Sequence, residues 1–127
     1  MNHLKVLVVD DSLVAAQLVK QALESLGHTV VSIARSGEEA LGAYDTCRPD
    51  LVTMDVTMPG VSGIDAAARL LASHPEANII MVTSHAQQGI VTDAQKAGAR
   101  GYILKPVKTD KLAVAIQRAM GPRTSAA

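Results

Sequence analysis

Five short runs of apolar or β-branched residues punctuate the chain, and four of them end on a polar group. Residues 4–9 (LKVLVV) lead into Asp10-Asp11, and residues 51–54 (LVTM) into Asp55. Residues 79–82 (IIMV) lead into Thr83, and residues 101–104 (GYIL) into Lys105-Pro106. The remaining run is Thr29 to Ala34. Runs of this length and composition read as strands. Between them, apolar residues recur at helical spacing over about 13–26, 36–47, 63–74, 87–97 and 109–120. Asp11 or Ser12, then Ser62, are placed as N-caps, and Ser36-Gly37-Glu38-Glu39 opens the second helix. Gly27, Pro49-Asp50, His74-Pro75, Gly98 and Gly121-Pro122 stop the helices in turn. Met58-Pro59-Gly60-Val61-Ser62-Gly63 is a loop with Pro-Gly turn chemistry.

Strand and helix alternate five times, which predicts an α/β fold: a doubly wound, five-stranded parallel sheet with helices on both faces. Right-handed crossovers leave strand order 2-1-3-4-5, the flavodoxin-like arrangement, as the common solution at this size. Residues 1–121 form one domain in this reading, and 122–127 form a short tail without periodicity, expected to be disordered. In such a sheet ligands bind beyond the carboxyl ends of the strands. Asp10, Asp11 and Asp55, far apart in sequence, are thereby predicted to share one rim with Thr83 and Lys105.

Composition narrows the core and the partners. The chain is 48% hydrophobic with neither Phe nor Trp, so the core is built of Val, Ile, Leu, Ala and Met. That suits strands covered on both faces. Twelve basic and twelve acidic residues cancel, which argues against direct nucleic-acid binding and against attraction to anionic membranes. No run is long enough for membrane insertion, and the single Cys47 cannot form an internal disulfide. A cytoplasmic protein is expected, with Cys47 a small filler near a helix end.

Three carboxylates about 5 Å apart repel by roughly 3 kcal/mol per pair at an effective dielectric near 20. A divalent cation removes that cost, and an all-oxygen site favours Mg²⁺, with Mn²⁺ the alternative. A lone Asp after a strand is often only a helix cap, but capping does not require three acids on one rim. The Thr83 hydroxyl, the Ser84 N–H and the Lys105 ammonium are donors suited to an anion. Competing signatures fail. There is no phosphate-binding glycine loop, and the first turn, Asp10-Asp11-Ser12, is acidic. A dehalogenase-type phosphatase would need a second acid where Ser12 stands. His3, His28, His74 and His85 lack metal-ligand spacing and are read as surface residues.

The ordered set Asp10-Asp11, Asp55 with Met58-Pro59 and Gly63, Thr83-Ser84 and Lys105-Pro106 resembles the receiver domain of two-component response regulators. The likeness covers about residues 4–120, and the length is similar to that of the stand-alone chemotaxis type. It implies that Asp55 accepts a phosphoryl group from a sensor histidine kinase or a phosphotransfer protein. It also implies that Asp11, Asp55 and the Thr57 backbone carbonyl bind Mg²⁺ directly, with Asp10 acting through water. Thr83 and Lys105 would contact the phosphoryl oxygens, and the Lys105–Pro106 bond would be cis. Thr83 and Tyr102 would form the switch. An output protein would dock on the face of the fourth helix, fifth strand and fifth helix, where Gln95, Lys96, Arg100, Lys108 and Lys111 form a mildly basic patch. The expected function is a signalling switch, not an enzyme for external substrates. Departures from common relatives are Ala16-Gln17 in place of an arginine and Val56 in place of an aromatic.

Two other functions compete with this one. A pseudo-receiver would have lost an acid, the Thr or the Lys, and all are present. A phosphohydrolase would need a lid or a separate general base, and neither is legible. Two finer expectations follow. Asp10→Ala and Asp11→Ala should each relieve repulsion and stabilise the metal-free protein. Thr57 and His85 should border the path of the water that hydrolyses the aspartyl phosphate.

Overall fold

A computed structural model describes residues 3–58, 60–84 and 88–120. The elements alternate as β1 (Lys5–Val9), α1 (Leu13–Ser25), β2 (Thr29–Ala34), α2 (Gly37–Cys47), β3 (Leu51–Asp55), α3 (Gly63–Ser73), β4 (Ile79–Thr83), α4 (Gln88–Ala97), β5 (Gly101–Leu104) and α5 (Thr109–Met120). All strand pairs are parallel, and the sheet order is β2-β1-β3-β4-β5. The α/β doubly wound expectation is met. Asp55 and Thr83 are the last residues of their strands, so the ladder itself fixes their backbones.

The period-two alternation of the strands feeds two separate cores. Val6, Val8, Leu51, Ile80, Val82 and Ile103 pack on the side of α1 and α5 with Ala16, Leu23, Leu112 and Ile116. Leu7, Val9, Val52, Met54, Ile79 and Met81 pack on the other side with Ala40, Tyr44, Ala66, Ala67 and Leu70. Burying β1, β3 and β4 on both faces explains why these strands read as near-continuous apolar runs. The small Ala residues let the helices approach the sheet closely, and Tyr44 is the one aromatic among the buried core residues described.

Serine caps set the starts of α1, α2 and α3. Ser12, Ser36 and Ser62 side chains accept from the N–H groups of Ala15, Glu39 and Asp65 at 3.1–3.2 Å. Of the two candidates at the first helix, Ser12 is therefore the cap. Glu39 reaches back to the N–H of Arg35 at 3.0 Å, closing the start of α2. That helix ends on Arg48, a non-glycine residue in the left-handed region (φ 48°), just before Pro49.

Two histidines depart from the expected surface placement. His28 is buried: Gly27 (φ +90°) turns the chain after α1 and tucks the imidazole under the sheet, where Nδ1 accepts the Leu4 N–H at 3.1 Å. His74 is half-buried, stacked on Tyr44 with centroids 4.6 Å apart and 2.8 Å from Asp45. Cys47 is half-buried at the end of α2, as expected.

Candidate functional site

The β1–β3 pairing matches Val9 with Met54, so Asp10 and Asp55 follow in register at the same rim. Asp10, Asp11 and Asp55 each offer a carboxylate oxygen, and these oxygens lie within 4.8 Å of one another. β4 and β5 complete the rim: Thr83 pairs with Leu104, and the Lys105 N–H donates to the Thr83 carbonyl at 2.8 Å. The Lys105–Pro106 bond is cis. Asp10, Asp55 and Thr83 are buried, Asp11 is half-buried, and Ser84 and Thr57 are exposed. His85 and Pro59 lie outside the described residues.

Lys105 sits between two acids. Its Nζ donates to Asp10 Oδ2 at 3.0 Å and lies 3.5 Å from Asp55 Oδ1. The Ser12 N–H donates to Asp10 Oδ1 at 2.9 Å. Asp10 is thus held by two donors at once, which the sequence did not signal beyond the spacing of an Asx turn. This geometry separates the two carboxylates that were expected to behave alike. Removing Asp11 relieves repulsion, whereas removing Asp10 also takes the acceptor from the Ser12 N–H and leaves Lys105 without half of its ion pair.

Burial pushes the Asp55 carboxyl up to about 6, and the neighbouring Asp10 charge adds to the shift; Lys105 and the Thr57 backbone N–H oppose it. Burial alone would lower the Lys105 ammonium. Its hydrogen bond to Asp10 and the charges of Asp55 and Asp10 outweigh that, and hold it above its ordinary value.

One further residue positions the site. A Cβ at Gly63 would lie 1.9 Å from the Asp55 carbonyl oxygen, and the Gly63 N–H donates to the Val56 carbonyl at 2.8 Å. The start of α3 is therefore pressed directly onto the backbone that carries Asp55, which only glycine allows.

The model of the response regulator receiver domain fits residues 6–117, a span that contains Asp10, Asp11, Asp55, Thr83 and Lys105. The chain belongs to this family. The receiver is 40% identical over 116 residues to the chemotaxis protein CheY of Listeria monocytogenes, covering 91% of this chain and 98% of that protein. Its fold matches a chain of the CheX–CheY–BeF3–Mg²⁺ complex of Borrelia burgdorferi with a TM-score of 0.88, at 29% identity, over 92% of this receiver and 89% of that chain. It also matches the chemotaxis protein CheY4 of Vibrio cholerae with a TM-score of 0.85, at 29% identity, over 94% and 100% of the two chains.

Three carboxylates around one ammonium leave the ionised cluster with two uncompensated negative charges. The donor set is all oxygen, without thiol or imidazole. Both facts fit a hard divalent cation such as Mg²⁺. Tyr102, the expected switch aromatic, is 44% exposed on β5 and lines a groove of about 570 Å³ between α4 and α5. No helix of the described residues is long and apolar enough to cross a membrane.

Proposed function

We propose that this receiver is a phosphorylation switch in which Asp55 takes a phosphoryl group from the phosphohistidine of a sensor kinase or phosphotransfer protein. The observation that carries the reading is the Asp10–Asp11–Asp55 cluster with Lys105 3.5 Å from Asp55. An Asp55 oxygen attacks phosphorus, the P–O bond forms as the P–N bond breaks, and the electron pair stays on the imidazole nitrogen. Lys105 moves its charge from the carboxylates to the phosphoryl oxygens, joined by the Thr83 hydroxyl. Asp11, Asp55 and the Thr57 carbonyl would hold Mg²⁺, with Asp10 behind them through water; the bound cation would supply charge that neutralises the phosphoryl oxygens and keeps Asp55 ionised. A chain of the Borrelia burgdorferi complex with BeF3 and Mg²⁺ shares this fold, and BeF3 has the charge and shape of a phosphoryl group, which supports the assignment.

Thr83 and Tyr102 then act as the switch, the exposed ring turning inward as the hydroxyl moves toward the phosphate. The output partner docks on the α4–β5–α5 groove. Arg100, Lys108, Lys111 and Arg118 line it with Tyr102, Leu104 and Val114, and none of the lining side chains among the described residues is acidic. An acidic segment with an apolar face fits that lining. Residues 1–121 are the receiver unit of the proposal and the cytoplasm its location; residues 121–127 lie outside the described residues.

Incubation with Mg²⁺ and a small phosphodonor should add one phosphoryl mass that maps to Asp55 and is lost in base. An unmodified mass under conditions that label another receiver would sink the reading and favour a constitutive binding module.

A further inference from the structure

The base of the sheet, opposite the acidic rim, carries a polar group that the switch does not use. His28 is 4% exposed. Its Nδ1 accepts the Leu4 N–H at 3.1 Å, and its Nε2 is buried without a hydrogen-bond partner among the described residues. An imidazole whose Nδ1 accepts must carry its proton on Nε2, so the folded state holds the neutral ring. The surrounding backbone is already committed. The Thr29 N–H donates to the Leu4 carbonyl, the His28 N–H to the Leu23 carbonyl, and the Lys5 N–H to Asp50 Oδ2. The Leu4 N–H therefore hangs on a side chain where the β1–β2 ladder begins, since the pairing starts at Lys5 with Thr29.

We infer that His28 is an acid-sensitive latch that fastens the start of β1 to the α1–β2 turn when neutral and releases it when protonated. Protonation puts a hydrogen on Nδ1, so the ring can no longer accept from Leu4, and two donors face each other across 3.1 Å. It also leaves a buried cation with no carboxylate bonded to it. The charged groups around the ring do not compensate. His3, ahead of β1, opposes a second positive charge, and Lys5 on β1, Glu24 in the last turn of α1 and Asp50 before β3 are exposed. Burial, then the His3 charge, hold the imidazole below its ordinary value, in keeping with the geometry. Because the folded chain binds fewer protons here than the unfolded chain, this contribution is complete above the ordinary histidine pKa of about 6.5 and is lost as pH falls through the folded value. The latch does not depend on the phosphorylation reading, because it lies at the opposite end of β1 from Asp10.

The test reads the ring and the amide separately. Imidazole NMR on the intact chain should show the Nε2–H tautomer of His28 at about pH 7.5 and a midpoint below about 6.5. Over the same range, protection of the Leu4 amide, corrected for intrinsic exchange, should fall about tenfold, the size of one lost hydrogen bond. His28→Gln keeps a side-chain acceptor and does not titrate, so its Leu4 protection should be flat with pH. Repeating the titration in Asp55→Asn should leave the Leu4 response in place, which separates it from events at the acidic rim. A ring that titrates at or above the ordinary value would overturn the inference. So would Leu4 protection that stays constant while the ring protonates; both are read on the unmutated chain even if His28→Gln does not fold.

Discussion

Asp55 carries opposite demands before and after a cation arrives, and its protonation shows this. Its carboxyl is raised to about 6 in the folded metal-free protein, against about 4 in an unfolded chain. The folded state therefore binds more protons than the unfolded one between those values. Stability from this residue is greatest below about pH 4 and falls as pH rises through 6, by on the order of 2–3 kcal/mol. Asp55→Asn should remove that slope and melt higher than the parent at pH 7 without metal. Denaturation in chelator at several pH values checks this; parallel curves for the two proteins would show that Asp55 is not strained. A second comparison separates the neighbouring acids. Asp11→Ala should stabilise the metal-free protein by about 1 kcal/mol through relieved repulsion. Asp10→Ala should instead be neutral or destabilising, because Lys105 and the Ser12 N–H lose their acceptor. Sequence alone placed the acids on one rim, but which acid holds the lysine depends on side-chain packing.

At the scale of elements, β1, β3 and β4 were legible because burial on both faces leaves little room for polar residues, and α1, α2 and α3 because serine caps mark their starts. Three features were not. Arg48 adopts a left-handed helix end that sequence patterns assign to Gly. His28 looks like any turn histidine until the chain reversal at Gly27 buries it. The role of Gly63 was visible only as part of a family motif, since its close approach to Asp55 belongs to the packing of α3 against the end of β3. Gly63→Ala cannot be absorbed by a flexible side chain, because the obstruction is backbone. It should cost about 3 kcal/mol or more and slow phosphorylation of whatever folds. Urea denaturation gives the first number, and wild-type stability in this variant would mean that the loop has room to move. On the far side of β5, Lys111→Glu and Arg118→Glu should each weaken an acidic, apolar-faced peptide several-fold, or about 1 kcal/mol, while leaving the phosphorylation rate unchanged. Fluorescence titration with the peptide and its charge-reversed twin distinguishes groove recognition from stickiness.

For the whole molecule, the acidic rim and the sheet are one cooperative unit, so a cation bound at the rim should stabilise the entire fold. The residues that would hold it come from the ends of β1 and β3, the two central neighbours of the sheet order. Unfolding separates those strand ends and abolishes the site, so metal binds only the native state. At a free Mg²⁺ concentration one hundred times its dissociation constant, the gain is about 2.7 kcal/mol. For a domain of this size that is a rise in Tm of about 10 °C. The same gain must depend on pH. Below about 6 a proton on Asp55 competes with the cation, so the Mg²⁺-induced rise should be larger at pH 7.5 than at pH 5. Asp11→Ala removes a proposed direct ligand and should abolish most of the rise at both values, whereas Asp10→Ala should retain part of it, its carboxylate acting through water. Calorimetric melts of the three proteins with chelator or excess Mg²⁺ at the two pH values make the comparison. Equal Mg²⁺ shifts in all three would place the cation away from the rim and remove the electrostatic basis for Asp55 as phosphoacceptor.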